Sequence, residues 1–258
     1  MCKIHIPILI LCFLAACAPS AQVIQTAVAK THAAWTPTPT FTFTPTPSPT
    51  STSTPRPTAT PTDLPTKVPY ILYYDDFSNK KSGWLNNSSY GANYQYSDGQ
   101  YIISRPKGNY QNWSYPGQYF SDAVLTVDVK LISGDVDLTG PIIIWRYVDS
   151  NNYYELSLVT GSRYFSISKL FKGEWQTLQD WTRSYAINSN NDINKIAISF
   201  SGGTITIYIN SRMVASVIDT SFANGYIGLG AYSEETSAVE VSFDNLVIYT
   251  VESWTPPK

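Results

Sequence analysis

Arg146, Tyr153 and Glu155 lie close together in the chain and combine a guanidinium, a ring and a carboxylate. Strand alternation puts Ile143, Trp145 and Tyr147 on one side and Ile142, Ile144 and Arg146 on the other. After a turn at 149–152, Tyr154, Leu156 and Leu158 form an apolar face opposite Tyr153, Glu155 and Ser157. That turn would pair the two strands and bring Arg146 beside Tyr153 and Glu155. On a concave sheet the trio would bind a sugar, with the two charged groups bonding hydroxyls and the ring stacking on an apolar pyranose face. The same spacing also describes a cross-strand ion pair with no ligand. Trp113 and Tyr115 fall in a Pro/Gly-containing stretch, 105–117, that reads as a loop, where a ring serves recognition more readily than packing. Trp175 and Trp181 flank a short strand and fit either role. From 70 to 258 the chain has 19 Tyr, 6 Trp and 7 Phe, enough to furnish both a sheet core and a binding surface.

Other chemistries are excluded by what this region lacks. His5, His32, Cys2, Cys12 and Cys17 all precede it, so it holds no Ser-His or Cys-His nucleophile, no His/Cys zinc site and no internal disulfide. Oxygen-ligated calcium remains open. Asp75, Asp76 and Asp244 would supply three carboxylates if the first and last strands lie side by side, or would cap turns. Residues 70–258 carry 13 Lys and Arg against 18 Asp and Glu, a net of −5 without a basic run, which argues against a nucleic-acid partner. Asp128, Glu155, Glu174, Glu240 and Asp244 are isolated from one another, so no catalytic residue is assigned.

The elements that must position these residues are strands. Leu125, Val127, Val129 and Leu131 alternate with Thr126, Asp128 and Lys130, and similar runs follow at 141–148, 152–159, 163–170, 193–201, 204–210, 212–218, 225–231 and 239–250. Turn residues separate them, and no helix of ordinary length is visible. Many short strands in one stretch predict an all-β fold, a two-sheet antiparallel jelly-roll sandwich.

Ahead of this region, Lys3 and His5 precede an apolar run, 6–14, that is too short to span a bilayer and ends in Leu14-Ala15-Ala16-Cys17. This resembles a bacterial lipoprotein signal. The resemblance implies cleavage after residue 16, lipid on Cys17 and anchoring on the extracytoplasmic face of the cell membrane; an ordinary cleaved secretory signal is the alternative. Residues 17–35 form a spacer. Residues 36–69 contain 13 Thr, 10 Pro and 3 Ser, which predicts a disordered Pro/Thr-rich linker able to hold residues 70–258 away from the surface.

Within 70–258 an ordered set of segments resembles the bacterial concanavalin A-like lectin/glucanase sandwiches, in the laminin-G-like and 3-keto-disaccharide-hydrolase-like group. They are Asp75-Asp76-Phe77-Ser78 with Gly83-Trp84, Tyr96 to Tyr101, Arg146-Tyr147 with Asn151 to Tyr154, Gly173-Glu174-Trp175, Ile205 to Asn210, Gly225 to Leu229 and Phe243 to Leu246. Glycosidases on this fold can carry Glu-x-Asp-x-x-Glu along one strand, and this chain does not. With the anchor and linker, the resemblance implies a noncatalytic surface module that binds carbohydrate or another extracellular ligand, glycan or cell-wall polysaccharide being the expected partner. The alternatives are a glycoside or 3-keto-glycoside hydrolase and a structural or protein-binding envelope module.

Overall fold

The computed structural model describes residues 70–256, apart from 109 and 235. The signal, Cys17, the spacer and the linker expected over 1–69 lie outside the described residues. In chain order the strands are β1 (Ile71–Asp75), β2 (Ser88–Ser89), β3 (Ala92–Ser97), β4 (Gln100–Arg105), β5 (Tyr110–Ser114), β6 (Tyr119–Phe120), β7 (Ala123–Ser133) and β8 (Thr139–Asp149). They continue as β9 (Asn152–Val159), β10 (Tyr164–Phe171), β11 (Glu174–Arg183), β12 (Asn194–Ser201), β13 (Thr204–Ile209), β14 (Arg212–Ile218), β15 (Gly225–Ser233) and β16 (Val239–Tyr249). Among the described residues, the one helical segment is a 3-10 turn at Val251–Ser253, and no helix is long and apolar enough to cross a membrane.

Two antiparallel sheets form the all-β jelly-roll sandwich. The nine-stranded sheet runs β14-β13-β12-β7-β16-β4-β3-β2, with β1 also paired to β16. The seven-stranded sheet runs β11-β10-β9-β8-β15-β5, with β6 also paired to β15. Alternation decides which side chains face between them. In β7, Leu125, Val127, Val129 and Leu131 are buried while Thr126, Asp128 and Lys130 are half-exposed. From the facing sheet come Ile143, Trp145, Tyr154, Leu156 and Leu158, with Trp145 stacked on Tyr154 at 5.5 Å and 20°. Each such apolar side chain contributes about 1.5–3 kcal/mol on burial, so the core needs no disulfide.

Two stretches differ from the sequence expectation. Residues 105–117 are not a loop throughout, because β5 runs through Trp113 and pairs with β15 from Ser233↔Tyr110 to Leu229↔Ser114. Polar residues at alternate positions hid it. The segment between Trp175 and Trp181 belongs to a ten-residue edge strand, β11, most of whose side chains are exposed and therefore give little hydrophobic signal.

Candidate functional site

The seven-stranded sheet has a second apolar cluster on its outer face, away from the main core. Ile142, Ile144, Tyr153 and Leu170 are buried there beneath Trp113, Tyr147 and Tyr232. The strands of this sheet are thus apolar on both faces, and its outer face is shaped into two hollows.

The first hollow, of about 570 Å³, is floored by Glu155. The β9–β10 ladder sets Ser168 opposite Glu155, Ser166 opposite Ser157 and Leu170 opposite Tyr153. One carboxylate and three hydroxyls therefore form a polar square, bordered by aromatic rings and by Gln111, Ser233 and Glu234. Glu155 is 5% exposed. Its Oε1 accepts from Ser157 Oγ at 2.8 Å, whereas Oε2 has no hydrogen-bond partner among the described residues. Burial pushes the carboxyl up to about 7; Ser157 and the nearby Gln111 amide ease this only in part. Gln111 Nε2 instead donates to Tyr153 Oη at 3.0 Å. The wall is aromatic: Trp175 and Trp181 of β11 both line the hollow and are 52% and 46% exposed. Trp175 meets Tyr153 at 5.8 Å and 89°, forming a corner of two rings.

The second hollow, of about 770 Å³, adjoins the first at Gln111 and is lined by Trp113, Tyr115 and Tyr147. Trp113 lies 4.4 Å from Tyr147 and 5.9 Å from Tyr153, so rings connect the two hollows. Glycine makes room for this indole. A Cβ on Gly230 would stand 2.6 Å from both Asn112 O and Trp113 Cβ, and one on Gly228 would stand 3.1 Å from Trp113 Cε3. Tyr115, just beyond β5, is 41% exposed and sits 5.3 Å from Tyr226.

Arg146 does not join Tyr153 and Glu155, contrary to the alternation argument. It occupies a bulge in β8 with φ 48°. Between the pairs Tyr226↔Tyr147 and Gly228↔Ile144, two residues of β8 face one of β15. The extra residue reverses the alternation, so Arg146 turns into the sandwich and Tyr147 turns outward. The guanidinium is 1% exposed, donating from Nη1 to Gly202 O at 2.9 Å and Phe222 O at 2.8 Å, and from Nη2 to Asp122 Oδ1 at 3.0 Å. It joins the two sheets and is remote in role from the outer face.

The first and last strands do pair, Asp75 opposite Leu246, yet Asp75, Asp76 and Asp244 do not make a calcium cage. Asp75 is buried and accepts from Trp84 Nε1, Tyr73 Oη and Phe77 N. Asp76 caps Ser78 through its amide and hydroxyl, and Asp244 accepts from Asn245 N. Among the described residues no group of three or more His, Cys, Asp or Glu is placed to hold a metal ion.

Sequence reading missed Ser166, Ser168 and Tyr147 as parts of this face. The serines alternate with the buried Phe165 and Ile167, a signal that was present in the run itself. Tyr147 was hidden by the bulge.

No known family model matches the chain, and no curated protein matches it significantly. Solved structures do share its fold. A carbohydrate-binding module of Bacillus subtilis, CBM66, superposes with a TM-score of 0.54 at 16% identity, covering 65% of this chain and 96% of the module. A Bacillus licheniformis β-glucanase gives 0.52 at 13%, covering 69% and 97%. A Bacillus subtilis protein with a galectin-like fold gives 0.54 at 12%, covering 71% and 97%. These likenesses show the fold, an antiparallel two-sheet β-sandwich. Its structural neighbours include both carbohydrate-binding modules and glycoside hydrolases.

Proposed function

We propose that this domain binds carbohydrate on the outer face of its seven-stranded sheet, as a noncatalytic module. The observation that carries the reading is the first hollow: a polar square of Glu155, Ser157, Ser166 and Ser168 beside the exposed rings of Trp175 and Trp181. The hydroxyls and the carboxylate offer donors and acceptors to sugar hydroxyls, while the rings offer a surface for apolar pyranose faces. The fold shared with carbohydrate-binding modules supports this reading. Lipid on Cys17 and an extended Pro/Thr-rich linker would display the module outside the membrane, where glycan or cell-wall polysaccharide is its partner. Screening residues 63–258, the compact unit that contains the whole core, against glycans and cell-wall polysaccharides tests the reading. Binding that Trp175→Ala weakens supports it; absence of binding to every glycan contradicts it.

One observation favours glycoside hydrolysis as a second reading. Glu155, raised to about 7 by burial, has the protonation behaviour of a general acid, and Glu234 lines the same hollow. Release of shortened sugars from a bound glycan, abolished by Glu155→Gln, would establish that activity.

A further inference from the structure

The hollow around Glu155 has negative groups and no positive one. Among the described residues, Glu155 and Glu234 line it, without any Lys, Arg or His. The cations of neighbouring strands are engaged elsewhere. Lys169 of β10 reaches Asp219 and Ser221 at 2.5 and 2.7 Å. Arg105 bonds Ser233 and Asn112 and lies over the Tyr110 ring at 5.0 Å. A buried carboxylate is costly in its charged form unless a donor reaches it, and most favourably placed when that donor is a cation. Glu155 Oε2 has no such donor among the described residues. Beside it, Tyr153 and Trp175 form the right-angled corner of rings, and ring faces attract cations most strongly where water is excluded.

Resting on the carbohydrate reading, we propose that the preferred ligand of this hollow is an amino sugar bearing a protonated primary amine. The ammonium pairs with the Glu155 carboxylate at the floor of the hollow, beside the aromatic corner, and the sugar hydroxyls are taken by Ser157, Ser166 and Ser168. An N-acetylated sugar carries no charge to offer Glu155, and an anionic glycan meets two carboxylates and no cation.

The test is calorimetric titration of the full chain at pH 7 with tetramers of glucosamine, N-acetylglucosamine and glucose. The glucosamine tetramer is expected to bind about 10-fold or more tightly than the other two, as a charge-assisted hydrogen bond to a buried carboxylate implies. Glu155→Gln should erase that preference, so that the three tetramers bind with similar affinity. Repeating the wild-type titration at pH 5 gives a measurement that needs no variant. Glu155 takes up a proton there, so glucosamine binding weakens although the amine is at least as protonated. Of the other groups facing the hollow, the Tyr153 and Tyr232 phenols are pushed upward by burial and stay neutral, Tyr110 is a further phenol, and Glu234→Gln controls for the rim carboxylate. Equal or tighter binding of the neutral tetramers, or a preference unmoved by Glu155→Gln and by pH, overturns the ammonium assignment and leaves carbohydrate binding standing. If no carbohydrate of any class binds, the underlying reading falls with it.

Discussion

Arg146 and Tyr147, adjacent in β8, point to opposite sides of the sheet from those that plain alternation assigns. Arg146 bridges the sheets through Gly202, Phe222 and Asp122, and Tyr147 joins the ring cluster around Trp113. Replacing Arg146 with Met therefore removes the partner of two carbonyls and one carboxylate. The expected loss of stability is about 2–4 kcal/mol by denaturant titration. Glycan affinity of the folded protein should be unchanged, because no atom of Arg146 faces the hollows.

Trp175→Ala should behave in the opposite way. Its ring is half-exposed at the sheet edge, so unfolding midpoints are expected to move by about 0.5 kcal/mol or less. Binding of any glycan held in the first hollow should weaken about 10-fold or more, through loss of about 1.5 kcal/mol or more of ring contact. Titration of the variant alongside a melting curve separates the two effects.

Gly230→Ala tests how Trp113 is seated. The added Cβ would approach backbone and side-chain atoms to 2.6 Å, with Ile142 Cγ1 at 2.8 Å, so the indole or β5 must shift. A destabilisation of about 1–3 kcal/mol is expected. The fluorescence of the Trp113 region should change as well, whereas Gly91→Ala, with open space around its Cβ, leaves the spectrum unaltered and costs only its backbone strain at φ 78°.

Glu155 makes stability fall as pH rises. Its folded value, raised by burial from 4.5 to about 7, means that the native state holds a proton which the unfolded chain releases across that window. Stability from this group is therefore intact near pH 4.5 and declines toward pH 7, by a few kcal/mol at most. Glu155→Gln should flatten the slope between pH 5 and 7 in denaturant titrations. Asp219 acts at the other end: burial opposes its ionisation, but hydrogen bonds from Lys169, Tyr154 and Ser221 bring it down to about 2. Its contribution is present above pH 4 and is lost as pH falls toward 2, a loss that Asp219→Asn removes.

Much of the fold could be read from residue order, because β9 alternates in residue type and both β9 and β14 are bounded by turn residues, their ends falling at Asn152, Val159, Arg212 and Ile218. The placement of Tyr153, Glu155 and Ser157 on one face followed from that alternation. Arg146 did not follow, since one inserted residue in β8 reverses every side chain beyond it and nothing in Trp145-Arg146-Tyr147 announces a left-handed backbone. Strand β11 and its tryptophans were hard to place for a different reason. An exposed edge strand has no buried face to impose a period, so its position depends on pairing with β10 rather than on its own pattern.

The most direct test of the central claim compares glycan binding of the wild-type domain with that of a Trp175→Ala, Trp181→Ala double variant, using the tightest ligand from a broad array. The account predicts saturable binding to the wild type and loss of about 100-fold or more in the double variant, with both proteins folded by near-ultraviolet circular dichroism. Undiminished binding in the folded double variant, or no binding by the wild type to any glycan, would contradict it.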